Sequence, residues 1–169
     1  SGSRWHFLLT TLAKISKNRK IFFIMHPSTR HKVSRDQTLV DKLDKAGVIL
    51  QPHMPYSQYI KMLAFAEYVV TDGGSSQEEC HYLGVPCLLM RDTTERAEGL
   101  HSNCLLAKYD KDLVDDFISD PNRWRRPAAT PSWSPSALVM ETLERTLMAS
   151  TLDAGAGDGV VVETVARME

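Results

Sequence analysis

Apolar positions along this chain change their period from one stretch to the next. Between Trp5 and Ile15, the residues Phe7, Leu8, Leu12 and Ile15 recur at the spacing of one helix face. The run Ile21-Phe22-Phe23-Ile24-Met25 is then unbroken and stops at His26-Pro27. Short unbroken apolar runs suit strands covered on both faces. Ser34 is placed to cap a helix through Leu39, Val40 and Leu43, with Gly47 as its stop. Val48-Ile49-Leu50 reads as the next strand, Tyr56 to Phe65 as a helix, and Tyr68-Val69-Val70 as a strand. Ser75 to Leu83 is a helix closed by Gly84, and Pro86 to Met90 a strand. Cys104-Leu105-Leu106 reads as a further strand and Asp110 to Ile118 as a helix.

Strands alternating with helices predict βαβ units. The fold class is therefore α/β, a Rossmann-like parallel sheet flanked by helices. Pro121 to Pro135 is rich in proline, arginine and tryptophan, and reads as an ordered crossing segment because tryptophans pack against something. Ser136 to Met148 is a last amphipathic helix. Residues 1–149 are expected to form one Rossmann-like domain. Residues 150–169 then form a tail, flexible or adding a single strand through Val160-Val161-Val162.

Composition narrows the function classes. The chain has 169 residues, 43% hydrophobic and 24% charged, with a net charge of −1. That size forms a core without a disulfide or metal staple. Near-neutral charge removes electrostatics as the driver of binding to bulk nucleic acid or to an anionic membrane. No apolar run approaches the roughly 20 residues of a membrane span, and Ser1-Gly2-Ser3 opens no signal peptide. The three cysteines, Cys80, Cys87 and Cys104, form no even disulfide set and no CxxC pair. They read as reduced, buried small hydrophobes in a cytoplasmic protein. The six histidines show no ligand spacing, so no metal is expected. Arg123-Trp124-Arg125-Arg126 reads as a surface-packed segment rather than an RNA contact, and Asp112, Asp115 and Asp116 as a solvated helix face.

The informative stretch is Thr71-Asp72-Gly73-Gly74-Ser75-Ser76-Gln77-Glu78-Glu79. It falls where a strand ends and a helix begins, the place where open α/β sheets bind ligands. Gly73 and Gly74 let backbone approach a ligand closely, and the helix's leading N–H groups favour an anion such as a diphosphate. Glu79, about one turn further, suits two sugar hydroxyls better than a phosphate. A second reading needs no ligand, because Ser75 with Glu78 and Ser76 with Glu79 each match an S-x-x-E capping box. Neither GxGxxG nor GxxxxGK[ST] is present.

This block is joined by Leu83-Gly84-Val85-Pro86 and by Met90-Arg91-Asp92-Thr93-Thr94-Glu95-Arg96-Ala97-Glu98-Gly99. Upstream stand His26-Pro27-Ser28-Thr29-Arg30 and Pro55-Tyr56-Ser57-Gln58-Tyr59. In order and spacing these blocks resemble the non-hydrolysing UDP-N-acetylglucosamine 2-epimerase family, over about residues 4 to 148. Its pattern reads roughly TDSGGxQEE, LGxPxLxxRxxTERPE, HPxTR and P-Y-x-x-F. The resemblance implies the C-terminal half of a GT-B fold, with the nucleotide sugar between two Rossmann-like domains and UDP held by this half. It implies that Tyr59 lies beside the uracil and that Gly73, Gly74 and Ser75 form the diphosphate loop. It also implies that Glu79 binds the ribose, that Arg96 offsets the diphosphate charge, and that His26 reaches the phosphates. Each has a structural alternative: Tyr59 as a core aromatic, Arg96 as an ion pair with Glu95 or Glu98, His26 as a strand-end residue.

Departures bear on the substrate more than on the fold. The family's TDSGG is TDGGS here, TERP becomes Thr94-Glu95-Arg96-Ala97, and His101 stands where glycine is common. The family's catalytic groups come from its N-terminal domain and from an HRxEN-like loop, and neither is in this sequence. No catalytic residue and no cofactor is therefore assigned. The resemblance implies a partner, either the N-terminal epimerase domain or a second copy, and UDP or a UDP-N-acetylhexosamine as ligand. It also implies two unpaired inner sheet edges, because the family's central first strand is missing. Another chain could supply that strand, the sheet could rearrange, or Val160–Val162 could fill the gap. Alternatives to an epimerase half are a noncatalytic nucleotide-sugar or protein-interaction module, and the UDP domain of a hydrolysing epimerase or GT-B glycosyltransferase.

Overall fold

A computed structural model describes residues 2–129 and 134–153. The chain divides into two compact units, 1–129 and 130–169. The first unit opens with α1 (Gly2–Ser16), β1 (Ile21–Ile24), α2 (Pro27–Ser34), α3 (Gln37–Lys45) and β2 (Val48–Gln51). It continues through α4 (Tyr56–Ala64), β3 (Val69–Thr71), α5 (Gly74–Leu83), β4 (Cys87–Leu89), β5 (Cys104–Leu106) and α6 (Lys111–Ser119). A short 3-10 turn, Pro121–Trp124, follows.

Every strand pairing is parallel, as the alternation of elements requires, but the strands form two sheets rather than one. β1 pairs with β2, and the second sheet runs β3-β4-β5. Among the described residues no ladder joins β1 to β3. The proposed filler, Val160–Val162, lies outside the described residues, as does the rest of 154–169.

Alternation along β4 builds the core of the second sheet. Leu88 faces α1 and α6, packing with Ile15, Val114, Phe117 and Ile118. Cys87 and Leu89 face the opposite way, against Leu63 of α4 and Cys80 of α5. The first sheet is covered differently. Leu12 of α1 and Leu43 of α3 pack on Val48, with Ile21, Phe23 and Leu50 around them. Phe22 and its register partner Ile49 face the other way and stay 47% and 36% exposed. The unbroken run in β1 therefore does not mean cover on both faces.

One local expectation is corrected. Ser34 ends α2 rather than capping α3. The cap is Asp36, whose carboxylate accepts from the Leu39 N–H at 3.0 Å. Helix α2 itself follows from Pro27, whose fixed φ suits a first helical position. The crossing segment is ordered as expected as far as Ala129. Trp124 packs on Phe117 with ring centroids 5.8 Å apart, and Arg126 N–H donates to the Gly84 carbonyl at 3.0 Å. Its arginines are used internally. Arg125 donates to the carbonyls of Ala66 and Glu67, and Arg123 pairs with Asp116. Trp133 lies outside the described residues.

In the second unit, Ser134 caps α7 (Pro135–Asp153), its hydroxyl accepting from Ala137 N–H at 3.2 Å. No described helix is long and apolar enough to cross a membrane, and no metal-ligating cluster occurs among the described residues.

Candidate functional site

The site is built where β3 ends and α5 begins. β3 stops at Thr71, and the Gly73 N–H turns back to its hydroxyl at 3.0 Å. Gly73 is the N-cap of α5 in extended conformation, with no side-chain cap bond. The first helical bond runs from Gln77 N–H to Gly73 C=O at 3.3 Å. The N–H groups of Gly74, Ser75 and Ser76 thus have no carbonyl before them in the helix, and they point out of its positive end. Neither S-x-x-E pair serves as a capping box, because a glycine holds the cap position. Gly84 closes the helix in the left-handed conformation at φ 67°.

Arg96 reaches this helix end from the loop after β4. A Cβ on Gly74 would overlap the Arg96 Nε and lie 3.0 Å from its Cδ, so the missing side chain is what admits the arginine. Its guanidinium pairs with Glu78, and its Nε is 3.7 Å from a Glu95 oxygen. Glu78 is a partner that the sequence alternatives, Glu95 and Glu98, do not include. Eighteen residues separate Arg96 and Glu78 in sequence, and only the fold brings them together. The Arg96 Nε is buried without a hydrogen-bond partner.

Glu79 lies on the next turn of α5. Burial raises its pKa, opposed by a hydrogen bond from the Tyr56 hydroxyl and assisted by the nearby charge of Glu78. Its Oε2 is buried and unpaired in the protein. Tyr56 is 65% exposed and is a site residue that the sequence reading does not name. Tyr59 is the more buried of the two and packs against the α4–α5 core. Its hydroxyl is 2.5 Å from the Ser76 hydroxyl, and burial pushes its pKa up to about 12. Tyr59 therefore ties α4 to the first turn of α5, next to the exposed Ser75.

The structure brings Tyr59, Gly73, Gly74, Ser75, Glu79 and Arg96 around one helix end. His26 stands elsewhere, exposed at the carboxyl end of β1 on the other sheet, its carbonyl accepting from Arg30 N–H. Sequence reasoning missed Gln77. It is 0% exposed and bonds the 94–98 loop, with Nε2 donating to the carbonyls of Arg96 and Glu98 at 3.1 and 2.8 Å. Below the site, Cys80, Cys87 and Cys104 are buried and unpaired, as expected. Hydrogen bonding with Cys104 and Cys80, together with burial, raises the Cys87 pKa well above the usual thiol value.

The family model "UDP-N-acetylglucosamine 2-epimerase" matches residues 2–123. The chain belongs to that family and corresponds to a C-terminal part of it. A UDP-N-acetylglucosamine 2-epimerase of Methanococcus maripaludis is 33% identical over 129 residues, which cover 71% of this chain and 35% of that protein. The Bacillus subtilis enzyme of the same name is 38% identical over 108 residues, covering 61% of this chain and 28% of that protein. The chain thus spans about a third of the length of the curated relatives it matches. The Methanocaldococcus jannaschii UDP-GlcNAc 2-epimerase, solved in complex with UDP-GlcNAc and UDP, superposes with a TM-score of 0.74 at 24% identity. That match covers 88% of this chain and 41% of that one, and it shows the shared fold.

Proposed function

We propose that this chain is the UDP-binding half of a UDP-N-acetylglucosamine 2-epimerase. The observation that carries the reading is the pairing of two features at the start of α5. A helix end without a side-chain cap lies under Arg96, and one turn on Glu79 holds a buried oxygen with no protein partner. The first suits a diphosphate, because backbone N–H groups, a helix dipole and a guanidinium converge on it. The second suits a ribose diol, whose two hydroxyls would donate to the carboxylate.

In this reading Gly73, Gly74 and Ser75 cradle the diphosphate, Arg96 offsets its charge, and Glu79 binds the ribose. Tyr59 lies beside the uracil, and His26, on the other sheet, is left out of the site. In the whole enzyme UDP-GlcNAc and UDP-ManNAc interconvert by elimination and re-addition of UDP. When the C1–O bond breaks, its electron pair goes to the diphosphate. Groups fixed at the amino end of α5 would stabilise that charge as it develops. Proton transfer at C2 requires general acid–base groups, and these we assign to the N-terminal domain and an HRxEN-like loop, and to no residue of this chain. That domain, or a second copy, is the proposed partner. The unpaired thiols of Cys80, Cys87 and Cys104 support a cytoplasmic setting.

Calorimetric titration with UDP, uridine and pyrophosphate tests the reading. UDP is expected to bind more tightly than either part alone. Equal affinity for UDP and pyrophosphate would overturn the ribose assignment, and no binding of any of the three would overturn the whole.

A further inference from the structure

We propose that Gln77 is a positioning residue that holds Arg96 at the amino end of α5. The inference rests on the reading of that helix end as an anion site and adds the device that sets its geometry. Residues 91–99 form no regular secondary structure beyond a bend and a turn. Their backbone carbonyls therefore need donors from elsewhere. Gln77 supplies two of them. Its amide nitrogen donates to Arg96 C=O at 3.1 Å and to Glu98 C=O at 2.8 Å. Its amide oxygen accepts from the Thr94 hydroxyl at 2.8 Å. The same hydroxyl accepts from the Arg96 N–H at 3.3 Å.

Two residues thus fix the backbone of Arg96 on both of its hydrogen-bonding groups. The anchor is also the residue whose own N–H closes the first turn of α5 on Gly73. Helix start and arginine loop are therefore fastened to one side chain. A fully buried amide is costly unless paired, and an apolar residue of that volume would fill the same space without that requirement. What the amide provides is the placement of the loop. Arg96 then enters the berth left by Gly74, with its Nε buried and without a hydrogen-bond partner. A slipped loop would withdraw the guanidinium and leave the helix intact.

The experiment uses the full chain with Gln77→Met and, as the milder change, Thr94→Val. One readout is ligand-free: solvent exchange of the Arg96 Nε–H by NMR. The other is the ratio of UDP to uridine affinity, since uridine carries no phosphate. Both variants are expected to speed Arg96 Nε–H exchange at least tenfold while α5 amides keep their protection. UDP affinity should fall at least fivefold and uridine affinity change less than twofold. Unchanged Arg96 exchange with an unchanged UDP-to-uridine ratio would overturn the proposal, as would loss of α5 protection in step with Arg96. If the unaltered chain binds no UDP, the reading of the site fails, and the exchange measurement alone decides the positioning role. If Gln77→Met does not fold, Thr94→Val decides it.

Discussion

The Arg96 side chain occupies the space that a side chain on Gly74 would need. The two residues are far apart in sequence and meet where β3 hands over to α5. Gly74 has no left-handed backbone to maintain, so its smallness serves the arginine. Gly74→Ala should therefore displace Arg96 with little effect on folding, since alanine favours a helix. Affinities for UDP and pyrophosphate are expected to fall together by about tenfold, about 1.4 kcal/mol. Calorimetry checks the affinities and thermal unfolding checks the fold.

Glu79 offers a separable contribution. Glu79→Ala should weaken UDP by about tenfold, the scale of hydrogen bonds to a charged group, and pyrophosphate by less than twofold. Equal losses would mean that the carboxylate only supports the helix start. The same residue sets a pH dependence. Burial raises its pKa in the folded chain. Its contribution to stability is then present below the unfolded carboxylate pKa and lost as pH rises through the folded value. Glu79→Gln should remove that loss, so its gain in unfolding temperature over the unaltered chain is expected near neutral pH and to vanish at acidic pH.

Gly84 is required for backbone reasons. It sits at φ 67°, and a Cβ there would lie 2.8 Å from the Arg126 carbonyl carbon and 2.9 Å from that of Pro127. Gly84→Ala combines left-handed strain with overlap against fixed backbone, a cost of at least about 2 kcal/mol. Urea unfolding should show it, together with release of the 126–129 segment from α5.

His101 is the reverse case. It holds φ 61° without being glycine. His101→Gly should stabilise the chain by about 0.5–1 kcal/mol, the left-handed strain less the added freedom of the unfolded glycine. A shift in the urea midpoint measures it.

Much of the fold was legible in the sequence where one local rule acted alone. Gly84 after Leu83 marks the end of α5 because a left-handed stop favours glycine, and short apolar runs locate the five strands among the described residues to within a residue or two. The sequence misled where two local signals competed or where cover came from elsewhere. Ser34 reads as a cap from its residue type, but it is Asp36, two residues on, that reaches the Leu39 N–H. Phe22 lies in a run that looks buried but faces away from α1 and α3. Of the site, Gly73, Gly74 and Glu79 were legible at the strand-to-helix junction itself, and Arg96 through the family resemblance. Gln77 did not, because a glutamine between a serine and two glutamates reads as helix surface until the loop it anchors is seen. The pairing of Arg96 with Glu78 likewise depends on the fold and on no local pattern.

The most direct test is an NMR titration of the full chain with UDP. The account predicts shifts confined to the Gly73–Ser76 amides, Tyr59, Glu79 and the Arg96 side chain, with the Phe22–Ile49 face unmoved. No shift at Tyr59, Ser75, Glu79 or Arg96 at millimolar UDP would contradict it.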